Sequence, residues 1–147
     1  MKPRSIMSDL QLSRANTKMW HFKIPGDPQP WKRKGGFGNR SYNPSADAQN
    51  DIAWALRACC PGLYNESDAV LWGVRLAFHS SRLTTTDVDN LAKNILDAIQ
   101  GRGIAWTNDN RVREIYAIVV PDSEPYTEGV IYELTADYLA SWSVLRR

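Results

Sequence analysis

Cysteine is scarce in this 147-residue chain, and its two copies, Cys59 and Cys60, are neighbours. Adjacent cysteines build no disulfide framework for a secreted fold and form no CxxC zinc clasp. Histidine is equally scarce, present only as His21 and His79, so a metal bound here is expected to have oxygen ligands. No apolar run approaches the roughly 20 residues of a membrane helix, and the N-terminus lacks the apolar stretch of a signal peptide. The expected location is the cytoplasm. Internal repeats are absent too, and 43% hydrophobic with 23% charged residues is the composition of an ordinary globular domain. The organisation expected is one domain over residues 17–147 behind a loose, polar leader at residues 1–16.

The net charge of +2 conceals a strong asymmetry. Residues 1–44 carry nine basic and two acidic side chains, a balance of +7, and the remainder carries nine basic and fourteen acidic, a balance of −5. One end is suited to a polyanion, and the other concentrates carboxylates for a different purpose.

Periodicity supplies the elements. Trp20, Phe22 and Ile24 alternate with polar residues as in a half-buried strand closed by Pro25-Gly26. The segment Gly26 to Pro44, rich in Pro, Gly and Asn, reads as a long loop. Ser45 is placed to cap a helix through Cys60, and Pro61-Gly62 closes it. Val70, Trp72, Val74, Leu76 and Phe78 alternate without a break, giving a strand to His79. Leu91, Ile95, Ala98 and Ile99 share one face of a helix that starts near Asp87 and has Gly101 as its C-cap. Strands at 111–120 and 128–136 and a short helix in 137–145 complete the chain. The order β, α, β, α, β, β, α predicts a small α/β (α+β) fold, with helices packed on one face of a mixed four-stranded sheet.

Three clusters carry chemistry. Asp87 and Asp89 open the second helix, with Lys93 one turn on, an arrangement in which two carboxylates can share a hard divalent cation. The same residues fit a helix cap, because Thr86 and Asp89 match the capping-box spacing and first-turn acids complement the macrodipole. Asp109, in the polar run Trp106-Thr107-Asn108-Asp109-Asn110, reads as a turn, and it meets the Asp87/Asp89 end only if the connection doubles back along the helix. The third cluster interleaves Trp31, Phe37 and Tyr42 with Lys32, Arg33, Lys34 and Arg40, a mixture that neutralises phosphates and stacks on unpaired bases. His79 has no partner identifiable from sequence, and Asp97, four residues after Lys93, reads as half of a helix-surface ion pair.

The stretch DVDNLAKNILDAIQGRGIAWTNDNRV, residues 87–112, resembles the central motif of the RusA family of Holliday junction resolvases, found in phages, prophages and bacteria. An acidic DxDN opens a helix there, a lysine follows four residues after the second aspartate, then Asp-Ala, and a Trp precedes an acidic turn. The resemblance implies that Asp87, Asp89 and Asp109 are metal-binding carboxylates and Lys93 an essential lysine. It also implies a homodimer that uses Mg²⁺ or Mn²⁺ to cut branched DNA in recombination and repair by paired, symmetric cleavage. Asn108 stands where relatives often carry a first acid, and Leu83-Thr84-Thr85-Thr86 where they can carry arginines. The competing readings are a non-catalytic branched-DNA-binding module whose acidic cluster caps a helix, and a glycosyltransferase-like enzyme using DxD.

Overall fold

A computed structural model describes residues 18–30, 32, 35–37, 40–42, 44–63, 70–82 and 86–141. The 1–16 leader lies outside these residues, as does the end of the last predicted helix beyond residue 141. The elements in chain order are β1 (Met19–Pro25), β2 (Gly35–Phe37), β3 (Arg40–Tyr42), α1 (Ala46–Cys59), β4 (Leu71–His79), α2 (Val88–Gly101), β5 (Val112–Val120), β6 (Tyr126–Leu134) and α3 (Ala136–Ser141).

β1, β6, β4 and β5 form one sheet in that order, antiparallel except for the parallel pair β4–β5. This is the mixed four-stranded sheet expected from the sequence, and α1 and α2 pack on one of its faces. Trp72, Val74, Leu76 and Phe78 of β4 project to that face and join Ile52, Leu56, Leu91, Ile95 and Ile99 in the main core. Being central, β4 is buried on its other face as well, where Arg75 donates to Glu114 at 3.3 Å and lies over the Tyr116 ring.

The parallel pair dictates the topology around α2. Parallel neighbours need a crossover, and α2 supplies it. At its end the left-handed residue is Gly103 (φ +59°), not Gly101, and the Ile104 N–H bonds the Ile99 carbonyl at 3.0 Å. The helix thus runs to its last residue, Gly101, before the chain reverses. Ile104, Ala105 and Trp106 are then buried, with the Trp106 ring 6.1 Å from Trp72, which itself lies 5.9 Å from Trp20.

The predicted long loop contains a two-stranded hairpin, β2–β3, in which Gly35 pairs with Tyr42 and Phe37 with Arg40. Periodicity missed it because three-residue strands are too short to show a period. The dipeptide Gly38-Asn39 between them is a two-residue hairpin signal. β6 begins at Tyr126, two residues earlier than predicted, because Pro25 pairs with Tyr126 at the sheet edge. Cys60 is buried with its thiol directed at the His21 carbonyl, and burial, followed by the neighbouring Cys59, pushes it up to about 11.

Gly73 and Gly129 are required by cross-strand packing. Gly73 faces Tyr132 and Gly129 faces Phe22 in register, and each aromatic ring occupies the space where a Cβ would stand. Tyr132 and Phe22 are both buried and have no room to withdraw. Gly73→Ala is therefore expected to destabilise the fold by about 1–3 kcal/mol, the usual cost of overpacking, read as a lower urea midpoint at unchanged slope.

Candidate active site

α2 and β5 form the two walls of a cleft of about 370 Å³ lined by Asp89, Lys93, Asp97 and Asp109 over an apolar floor that includes Ala92 and Ala117. The helix contributes its charges at i, i+4 and i+8, so Asp89, Lys93 and Asp97 stack in one stripe of alternating sign. Lys93 Nζ lies 3.7 Å from Asp97 Oδ2. Ile115 lines the opposite wall and is half exposed, leaving the cleft open to a large ligand.

Asp109 reaches this cleft because the burial of Ile104, Ala105 and Trp106 fixes the return of the chain. A short 3₁₀ turn at Asp109–Arg111 follows, and the Asn108 side chain caps it by accepting from the Asn110 N–H at 3.1 Å. Asn108 is thus committed to the backbone, while Asp109 remains exposed and lines the cleft.

Asp97 makes the ion pair with Lys93 that the i,i+4 spacing predicts, and it lines the cleft as well. Its carboxyl is raised above the ordinary carboxylate range chiefly by desolvation, opposed by Lys93 and reinforced by the negative charge of Asp109. Asp97 and Asp109 thus both bring negative charge to the cleft. The 89/93/97 spacing was the available signal, but only the long-range approach of Asp109 makes Asp97 more than a surface partner.

Asp87 is the N-cap of α2, exposed, and makes no side-chain capping hydrogen bond. The capping box anticipated at Thr86 does not form, since the cap position is Asp87 itself. Asp87 is not among the residues lining the cleft, and Asp89 and Asp97, eight residues apart, are separated by roughly 12 Å of helix axis. Accordingly, no group of three or more His, Cys, Asp or Glu is gathered tightly enough for a metal ion among the described residues.

Of the basic-aromatic cluster, Lys32 is exposed, Phe37, Arg40 and Tyr42 belong to the β2–β3 hairpin, and Trp31, Arg33 and Lys34 lie outside the described residues. His79 is not at the cleft. It is buried between Asp122 and Glu128, each 3.3 Å from a ring nitrogen, and stacks on Tyr126 at 4.0 Å, a set of partners distant in sequence.

The donor set suits a hard cation. All the ligating candidates are carboxylates, and Mg²⁺ is commonly held by one or two of these while it keeps waters and takes substrate phosphate oxygens. After burial, the negative charge of Asp109 is a further cause that raises the Asp97 carboxyl, and a cation in the cleft would oppose it.

The model of the family Endodeoxyribonuclease RusA matches residues 25–131 of the chain. No curated protein matches it. Among solved structures, the chain is similar to CetZ from Methanosaeta thermophila strain DSM 6194, with 10% identity and a TM-score of 0.38 over 92% of this chain and 36% of that one. A likeness at that level carries no argument about fold or function.

The raised carboxyl of Asp97 has a consequence for stability. The folded state holds the Asp97 proton more tightly than the unfolded chain does, so stability falls as pH rises from the ordinary aspartate value, about 4, through the raised one. In metal-free buffer at pH 7, Asp97→Asn is expected to be more stable than the parent, by less than about 1 kcal/mol because the site is partly exposed. The advantage should vanish below pH 4, and thermal unfolding across pH reads both.

Proposed function

Because the chain belongs to the endodeoxyribonuclease RusA family, we propose that it is a divalent-metal-dependent endonuclease that resolves four-way DNA junctions by paired, symmetric cuts. The observation that carries this reading is the cleft between α2 and β5, where Asp89, Lys93, Asp97 and Asp109 converge from two elements. The absence of a capping bond from Asp87 supports it against the helix-cap reading, since a cap would occupy that carboxylate.

Asp89 of α2 and Asp109 of the turn before β5, which line the same cleft, would hold Mg²⁺ or Mn²⁺, with Asp87 contributing from the entry of α2. A bound cation supplies Lewis-acid stabilisation of charge on phosphate oxygens and acidification of a coordinated water. Lys93 directs an ammonium into the same cleft and donates to the phosphoryl oxygens on which negative charge accumulates. Asp97, 3.7 Å from Lys93 Nζ, restricts that ammonium to the cleft-facing stripe of α2.

Binding is assigned to the basic segment before α1. Lys32, Arg33, Lys34 and Arg40 neutralise the backbone and release its counterions, and Trp31, Phe37 and Tyr42 supply stacking faces for bases exposed at a crossover. A junction has approximate two-fold symmetry, and two opposed cuts call for a C₂ homodimer presenting two clefts.

Cleavage of a labelled immobile four-way junction beside linear duplex, in Mg²⁺ and in EDTA, tests this reading. The parent should nick the junction symmetrically only with metal. Asp89→Asn should lower the rate by at least about 100-fold while retaining affinity, the scale expected when a group that stabilises transition-state charge is lost. A parent that binds the junction and leaves it intact with every divalent metal supports the binding-module reading instead.

A further inference from the structure

α2 lines the cleft with two parallel stripes. Asp89, Lys93 and Asp97 form the charged one, and Val88, Ala92 and Leu96, each one residue earlier, form an apolar one beside it. β5 adds Ile115 and Ala117, two residues apart on the same face of the sheet, where they pair with Val74 and Leu76 of β4. Val74 and Leu76 are fully buried in the core, whereas Ile115, on the edge strand, is half exposed.

Among the described residues five large apolar side chains are exposed, and two of them, Val88 and Ile115, line this one cleft. Apolar residues scattered singly over a surface need no explanation. A pair in the cleft that holds the carboxylates and the ammonium is different, because a ligand drawn there by charge covers apolar surface as it seats. The chemistry of a nucleic-acid strand says what does the covering. A phosphodiester is bonded on both sides to sugar carbons, so a group beside a bound phosphate meets a sugar before it meets a base. Bases stack on aromatic rings, and the described residues that line the cleft are aliphatic or charged. At C2′ deoxyribose presents a methylene, where ribose carries a hydroxyl that both donates and accepts.

We propose that Val88 and Ile115 form an apolar lip that takes the deoxyribose next to the scissile phosphate and rejects ribose there. The proposal deepens the nuclease reading and rests on it for the identity of the ligand. With the strand seated, the C2′ methylene lies on aliphatic surface and both are removed from water. A 2′-hydroxyl in that place loses its water and finds no hydrogen-bond partner on either side chain, which disfavours ribose by about 10-fold or more. Asp89, Lys93 and Asp109 act on the phosphate and its cation, which are the same for both sugars, so the lip discriminates where the charges do not.

The test uses the full chain and four-way junctions that carry one ribonucleotide on the 5′ or the 3′ side of the mapped cut. In at least one of the two positions the single-turnover rate should fall about 10-fold or more, the scale of an unpaired hydroxyl. A 2′-fluoro sugar there, which has no hydroxyl to donate, should be cut within about 3-fold of deoxyribose. In Val88→Thr/Ile115→Thr, which keeps β-branched residues at both sites and offers hydroxyls to the sugar, the deoxyribose-to-ribose rate ratio should drop below about 3. If the double variant does not fold, the single variants are read in the same way. Methyl NMR of Val88 and Ile115 during titration with a deoxyribose dinucleotide and its ribose counterpart, in Mg²⁺, reads the contact without cleavage. Both methyl sets should shift, and the ribose form should require about 10-fold more ligand. Equal cutting of the two sugars, a 2′-fluoro junction as slow as the ribose one, or a ratio unchanged in the variants overturns the proposal. A parent that cuts no junction defeats the nuclease reading, and the NMR titration then decides the lip: equal response to both sugars overturns it, and a deoxyribose preference lost in the variants upholds it.

Discussion

The parallel pairing of β4 with β5 is the constraint on which the rest of the structure depends. Parallel strands require a covering crossover, and in so short a chain that crossover is α2 with a return of about ten residues. The helix must lie along the sheet, and the chain must come back to the starting end of β5. Burial of Trp106 against Trp72 fixes that return. The acidic turn follows directly, so Asp109 stands at the mouth of the space between helix and strand. The cleft is therefore a product of topology and one aromatic contact, with the charged stripe of α2 forming its wall.

Much of this was legible in the sequence, for reasons that differ by element. β4 announced itself because five large residues alternate, and α2 because Leu91, Ile95, Ala98 and Ile99 share a face that is buried in the fold. Asp89 and Lys93 could be placed together because a helix fixes their spacing locally. The position of Asp109 could not be read in the same way, since its approach to Asp97 depends on where the return segment is packed. That approach redirects attention from the helix entry at Asp87 to a cleft extending two turns along α2. The β2–β3 hairpin was hidden by its brevity and the partners of His79 by their separation in sequence, as Asp122 and Glu128 come from beyond the next crossover.

The charge asymmetry of the chain also gains a structural meaning. Of the basic residues before α1, Lys32 is tied through its N–H to Ser45, and the Gln29 carbonyl three residues earlier is held by Asn94 of α2, which also bonds Gln49 of α1. A phosphate entering the cleft would meet carboxylates that repel it unless a cation intervenes. Opposed charge distributions of this kind make metal dependence a matter of electrostatics as well as of chemistry.

The most direct test of the account is the location of Mn²⁺, by anomalous scattering, in crystals of the full chain grown without metal and then soaked. A peak between α2 and β5, with Asp89 or Asp109 as ligand and abolished in Asp89→Asn, is the predicted result. An empty cleft with the ion at Asp122 and Glu128 beside His79 would contradict it, and would move the chemistry to the opposite face of the sheet.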